Sequence, residues 1–345
     1  MSESKGDVLT VPVANVIKGI AVIMMVIHHC YGFPGWIVEE ELIPTIMPKV
    51  QAYAFACKFC VPVFAFLTGW AYFFHKDKSC GYSIKKISSC LVEYWVLVML
   101  LMSVAVACCH CAPNLSLLVN ELFPFARAHR LMIFAWYIRF YVVTLVLLPF
   151  LAVLLDMRGG RFRIAFLVVG MYALYKILML LGRSDDIYWL PCVLGGYMCA
   201  QYGILEKCVN WLSKWNVGWL FGVLAIYVSY RLFKSRECVF SCRISSGALY
   251  APFFCCGWIL CYPIIRKLKL DNGLQLLGKH SLNIWLLHGI FFSRLTRGEF
   301  QKFAYAVDSP LYVIVFVIGS CLLVSLALKP LQTRIRSYVV ERLFS

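Results

Sequence analysis

Charge is scarce in this chain. Asp, Glu, Lys and Arg make up 14% of its 345 residues, against roughly 25% in soluble domains, which excludes a water-soluble globular enzyme. Acids are the scarcer sign, 17 against 33 basic residues, leaving a net charge of +16. A nucleic-acid partner is nonetheless not expected: there is no basic amphipathic helix and no aromatic platform for bases, and Lys and Arg gather in short loops. Also missing are an internal repeat, a low-complexity tract and the ten-residue alternation of a transmembrane β-barrel. Nearly every gap between apolar blocks is under about 20 residues, too short for a separate soluble domain beside spans of this kind. Residues 1–10 are polar, and the first apolar segment is long enough to span with no small-residue cleavage site after it. No cleavable signal is therefore expected.

What is abundant is apolar: 62% of residues are hydrophobic, in blocks of about 17–25, the length that crosses ~30 Å of hydrocarbon as a helix. The expected fold is all-α, a polytopic transmembrane helix bundle forming one domain over residues 1–345. Ten helices are expected near 13–31, 51–74, 89–111, 132–155, 164–181, 187–204, 217–233, 247–265, 281–293 and 310–328. The sixth and ninth are short, so nine or eleven crossings remain open. Alternate loops divide the basic residues unevenly. The set that includes both termini holds 18 of the 33, among them Lys76, Lys78, Lys85, Lys86, Arg266 and Lys267. By the positive-inside rule both termini are expected in the cytoplasm, with the protein in the cell membrane. The loops at 234–243 and 294–302 are basic against that trend.

The 17 cysteines fall mostly inside spans, where Cys is a small apolar residue. Cys57 and Cys60 form a CxxC, and Cys108, Cys109, His110 and Cys111 are consecutive. Neighbours on a helix point about 100° apart and do not converge on one ion, so no metal site is expected. Cys238 and Cys242 are placed to pair if their loop meets an oxidising compartment.

The first helix carries the chemistry. Ionisable groups inside a span are costly and turn toward the bundle interior or water, which singles out Lys18, His28 and His29. Lys18 and His29 are eleven residues apart, about three turns, so they share a face ~16 Å apart along the axis, while His28 points elsewhere. Two readings stand: Lys18 reaching the headgroups and His29 satisfying a neighbouring helix, or a cation for phosphates and an imidazole for proton transfer.

A basic residue, ten positions and a histidine, here Lys18-GIAVIMMVIH-His29, resembles the acyltransferase 3 family of integral membrane acyltransferases. The resemblance continues through CVPVFAFLTGWAYFF at 60–74, WYIRFYVVTLVLLPF at 136–150 and LGKHSLNIWLLHGIFF at 277–292, nearly the whole chain. Lys18 stands where the family has Arg, and Thr68 where it has Ser before Gly69. The family's Arg-x-x-Arg falls on Lys86 and Ser89, with Lys85 alongside. The resemblance implies transfer of an acyl group, usually acetyl, from cytoplasmic acetyl-CoA to a hydroxyl of a glycan or lipid-linked saccharide. Acyl-CoA is then a co-substrate and no cofactor is permanently bound. It implies His29 as general base or acyl carrier and Lys18, Lys85 and Lys86 as holders of the CoA phosphates.

Other polar groups carry two readings each. Arg139 beside Trp136 either pairs with Glu93 or touches substrate. His288 is either catalytic or bonded to a neighbour, Thr68 keeps a hydroxyl, and Ser281 is either a site residue or the cap of its own helix. Trp70, Trp136, Trp189, Trp258 and Trp285 either stack on a sugar or anchor the protein at the interface. A transporter or flippase is the alternative class, since such proteins also set ionisable residues at mid-membrane beside short helices, though no two halves are detectable here.

Overall fold

The computed structural model describes residues 8–109, 114–126, 129–156, 169–170, 172–177, 179–180, 187–215, 217–236, 243–296 and 298–344. Of the helix expected at 164–181, residues 169–170, 172–177 and 179–180 are described and are helical, whereas His110 and Cys111 of the cysteine-rich run, and Cys238 with Cys242, lie outside the described residues. Among the described residues every regular element is helical. In chain order they are α1 (Val11–Gly32), α2 (Met47–Ala56), α3 (Cys60–Phe73), α4 (Cys80–Cys109), α5 (Leu115–Leu122), α6 (Trp136–Asp156), α7 (Leu190–Gln201), α8 (Ile204–Leu212), α9 (Gly218–Arg236), α10 (Arg243–Lys267), α11 (Asp271–Lys279), α12 (Ser281–Leu287), α13 (Glu299–Ala304) and α14 (Pro310–Phe344).

Among the described residues five stretches are long and apolar enough to cross a membrane: Val11–Gly32, Met47–Phe73, Cys80–Cys108, Trp136–Asp156 and Pro310–Phe344. Met47–Phe73 includes a short 3-10 turn, Cys57–Phe59, between α2 and α3. The expected span at 281–293 is instead seven α-helical residues continued as a 3-10 turn over His288–Phe291. The segment expected at 187–204 holds α7, which ends at Gln201, and the chain turns into α8 at Gly203, whose φ of +60° lies in the left-handed region that glycine enters at no steric cost. Helix starts follow proline's fixed φ: Pro12, Pro48, Pro191 and Pro310 all sit in first turns, where a missing N–H costs nothing. Gly32 ends α1 and Pro34 follows it, the usual order for a helix stop.

The chain divides into two compact units. The first comprises Met1–Ala14, Val61–Ile87 and Arg139–Leu270. Its helices meet at glycines. A Cβ on Gly69 of α3 would lie 1.8 Å from the Val193 carbonyl oxygen, and one on Gly196 of α7 would lie 2.0 Å from that of Phe66. The two backbones therefore touch directly, as small residues permit in membrane helices. At one end of the unit Lys78 pairs with Asp156 at 3.3 Å and donates to the Tyr197 hydroxyl at 3.0 Å, and Tyr197 in turn donates to Asp156 at 2.8 Å. That network joins the loop after α3 to α6 and α7.

The second unit comprises Asn15–Cys60, Ser88–Ile138 and Asp271–Ser345. Here α11 lies against α1: a Cβ on Gly278 would be 1.9 Å from the Asn15 carbonyl oxygen, and one on Gly19 would be 2.1 Å from that of Leu274. A buried polar cluster ties α4 and α12 to α14. Glu93 accepts from Lys329 at 3.1 Å and from Arg336 at 3.0 Å. Gln332 donates to the Asn283 side-chain oxygen at 3.1 Å, and Asn283 donates to Ser325 at 2.8 Å. His280 shares Ser325 at 2.8 Å, and burial, with Lys329 and Lys279 close by, keeps this imidazole below its ordinary pKa.

Candidate active site: a buried histidine pair

His29 lies on α1, three residues before its glycine stop, and faces His288 at the end of α12. The rings are 7% and 0% exposed. His29 Nδ1 is 2.9 Å from His288 Nε2, and His288 Nδ1 is 3.0 Å from the Ile284 carbonyl oxygen one turn back. A carbonyl only accepts, so His288 Nδ1 carries the proton that bonds it. In a neutral His288 the Nε2 is then a lone pair, and it is His29 Nδ1–H that donates to it. Both shared nitrogens are thereby assigned, and His29 Nε2 is left as the basic, nucleophilic atom of the pair.

The neighbouring histidine takes a different part. His28 Nδ1 donates to the Ala54 carbonyl at 2.9 Å, so its ring fastens α1 to α2. The near-100° step between consecutive helix residues thus aims one ring at the α2 backbone and the other at a second imidazole.

Aromatic rings enclose the pair. Phe134 lies 4.3 Å from His288 and within 6° of parallel, and 4.2 Å from His29. Trp36, in the short helical turn after α1, is 5.8 Å from His29 at 14° and stacks on Phe33 at 4.2 Å. Trp36 is 37% exposed, whereas Phe134 and Phe292 are buried. The pair therefore has an apolar wall on its inner side and an indole reaching outward beside it.

Four residues of the run at 277–292 have separate tasks. Gly278 seats α11 on α1, Asn283 ties α12 to α14, Trp285 donates to the Phe134 carbonyl at 3.2 Å, and His288 meets His29. Ser281 is the first residue of α12 and the capping position belongs to His280, so the capping role set out for Ser281 is not the one this helix uses.

The remaining sequence candidates are distributed as follows. Lys18 is half-buried on α1, three residues beyond Asn15. Lys85 and Lys86 are exposed on the opening turns of α4 in the first unit, with Lys86 Nζ 5.9 Å above the Tyr82 ring. Thr68 spends its hydroxyl on the Phe64 carbonyl of its own helix at 2.9 Å, so the Thr68-Gly69 pair marks helix packing through the glycine. Trp136 packs edge-on to Trp285 at 5.9 Å, behind the indole that holds Phe134. Glu93 is engaged by Lys329 and Arg336, partners the sequence had not linked to it; Arg139 is half-buried at the start of α6 in the first unit.

Sequence reasoning missed Trp36, Phe33 and Phe134, and also Glu121. Glu121 is 0% exposed. Burial alone would raise its pKa, but hydrogen bonds from His129 and from the Met132, Arg130 and Leu131 amides outweigh that and hold the carboxyl below its ordinary value. The only signal in the sequence was an acid in an otherwise apolar segment.

An imidazole pair shut inside apolar helices defines a membrane protein equipped for proton transfer or nucleophilic catalysis. Residues 13–329 match the family model described as an acyltransferase domain. The chain belongs to the acyltransferase 3 family of membrane acyltransferases. No curated protein and no solved structure matches it.

Proposed function

We propose that this protein moves an acetyl group from cytoplasmic acetyl-CoA to a hydroxyl of a cell-surface or exported glycan, or of its lipid-linked precursor. The reading places both termini in the cytoplasm and takes about ten helices across the cell membrane. The observation that carries it is the histidine pair, which leaves His29 Nε2 as the free basic atom. Two balanced routes use that atom. In the first, Nε2 takes the proton from the acceptor hydroxyl as its oxygen attacks the thioester carbonyl, the C–S bond breaks, and the proton goes to the departing CoA thiolate. In the second, Nε2 attacks the thioester carbonyl, the C–S bond breaks and CoA leaves as the thiolate; the acceptor oxygen then attacks the acyl-imidazolium, the C–N bond breaks to return neutral His29, and the hydroxyl proton goes to the CoA thiolate. His288 serves either route by fixing the tautomer of His29. Lys18 would meet the phosphates of the donor, with Lys85 and Lys86 as further cations for them. Arg139 is a candidate for substrate contact. Trp36, parallel to His29 and partly exposed, offers an indole face of the kind on which a sugar ring packs.

The test is acetyl transfer from radiolabelled acetyl-CoA by purified protein in liposomes, supplied with a membrane extract as acceptor. His29→Ala is expected to lower transfer per folded molecule by about 10²-fold or more, the scale of losing a general base. His28→Ala is expected to lose far less transfer and more heat stability, because its ring is bonded to the α2 backbone. Near-normal transfer by folded His29→Ala defeats the mechanism.

A further inference from the structure

The segment that presents Phe134 to the histidines has no regular secondary structure of its own until α6 begins at Trp136. Its fixed position has to come from tethers. Glu121, in the last turn of α5, supplies the principal one. Its Oε1 accepts the Arg130 amide at 2.6 Å and the Leu131 amide at 3.1 Å, and its Oε2 accepts the Met132 amide at 2.9 Å. The His129 ring approaches Oε2 at 3.3 Å. Three consecutive main-chain amides are thus gathered on one fully buried carboxylate, and the Glu121 carbonyl is itself bonded by the Tyr94 hydroxyl of α4.

Two further bonds fix the same stretch. Ser293 donates to the Arg130 carbonyl at 2.8 Å, and Trp285 donates to the Phe134 carbonyl at 3.2 Å. Both donors come from the segment around His288. Gly289 completes the seat, since a Cβ there would lie 3.2 Å from the Phe134 ring. Phe134 then contacts both imidazoles at once. A shift of this ring would free His29 to turn about its side-chain bonds, and a displacement of about 1 Å at a reacting group is enough to cost up to 10²-fold in rate.

We propose that Glu121 is a positioning residue for the histidine pair: by binding the amides of Arg130, Leu131 and Met132 it fixes the segment carrying Phe134, and through that ring it holds His29 in its reactive orientation. This rests on the acyl-transfer reading of His29. Glu121 touches neither reactant; it acts through the main chain and Phe134.

The experiment compares Glu121→Gln, Phe134→Leu and the double variant as purified protein. Glu121→Gln keeps the size of the side chain and one acceptor oxygen but loses the charge that three amides share. It is expected to lower kcat by about 10- to 100-fold with the KM for acetyl-CoA within twofold of wild type. Hydrogen exchange at the amides of 130–132 should speed up. Carbethoxylation of His29 by diethyl pyrocarbonate, read by peptide mass spectrometry, should rise in both single variants. The double variant should be no slower than the slower single one, because both act along one chain of contacts. Should Glu121→Gln not fold, Glu121→Asp retains the charge on a shorter stem and is expected to give the same pattern in milder form. Unchanged kcat, fully additive losses, or unaltered exchange and His29 modification overturn the proposal. If wild-type protein transfers no acetyl group, the acyl-transfer reading fails instead, and the exchange and modification rates still decide whether Glu121 holds the pair.

Discussion

At the scale of single residues, the chemistry turns on which nitrogen bears a proton. The Ile284 carbonyl fixes the His288 tautomer, and His288 fixes that of His29. If His288 acts by holding this tautomer, a side chain that merely accepts a hydrogen bond should replace much of its effect. His288→Gln presents an amide oxygen near the position of Nε2. Its kcat is expected within about tenfold of wild type, while His288→Ala, which leaves His29 Nδ1–H without that acceptor, should lose about 10- to 100-fold, the range seen when a supporting partner of an imidazole is removed. Should Gln be as inactive as Ala in the same assay, His288 carries a proton of its own through the reaction. The sequence made His29 legible because an ionisable group in an apolar helix has few inexpensive explanations. It left His288 with two readings because the choice depends on what lies across from it, and His29 is 259 positions away in the chain. Phe134 and Trp36 were not legible at all: in a chain that is 16% aromatic, nothing local separates a ring against a buried histidine from a ring against lipid.

At the scale of elements, apolar length located the long helices well: the ranges 13–31, 132–155 and 310–328 correspond to Val11–Gly32, Trp136–Asp156 and the first part of Pro310–Phe344. It was less informative where a helix breaks. The 3-10 turn over His288–Phe291 falls inside an apolar run, and hydropathy does not register backbone dihedrals. Small residues are where sequence and packing meet. Gly69 follows the Thr68 hydroxyl that an active-site reading favours, yet the close approach belongs to the glycine. A methyl there would meet the Val193 carbonyl at 1.8 Å, and since the obstacle is backbone, no rotamer change relieves it. Gly69→Ala should therefore cost at least the upper part of the ~1–3 kcal/mol range of overpacked cores, read as lower yield and a lower melting temperature in detergent. Thr68→Val, which loses only a bond to its own helix, should change both little. Equal stability of the two variants would remove the backbone contact from the account of α3 and α7.

At the scale of the whole molecule, the surplus of positive charge has to be placed somewhere. A chain with 33 basic and 17 acidic residues does not spread its surplus evenly, and the retention of Lys and Arg on the cytoplasmic side orders alternate loops. The structure adds a reason why the last helix can carry cations far along its length: Lys329 and Arg336 share Glu93, whose side chain is 9% exposed, so part of the positive charge on α14 is neutralised within the bundle. In the proposed topology, the charges left over set the orientation. The proposed orientation requires 76–88, 266–280 and 329–345 to lie in the cytoplasm, the side from which acetyl-CoA is supplied. Single cysteines placed in each of the three stretches, in a background cleared of the 17 native ones, should resist a membrane-impermeant maleimide in intact cells and react once the membrane is permeabilised. Cysteines placed at 38 and 307, near the outer end of α1 and the start of α14, should react in intact cells. Labelling of two of the three supposedly cytoplasmic sites before permeabilisation would reverse the protein in the membrane. His29 would then sit toward the cytoplasmic end of α1 and Lys18 toward the outer end, where no phosphate of acetyl-CoA is available to it, and the direction of acetyl transfer proposed here would fall with the topology.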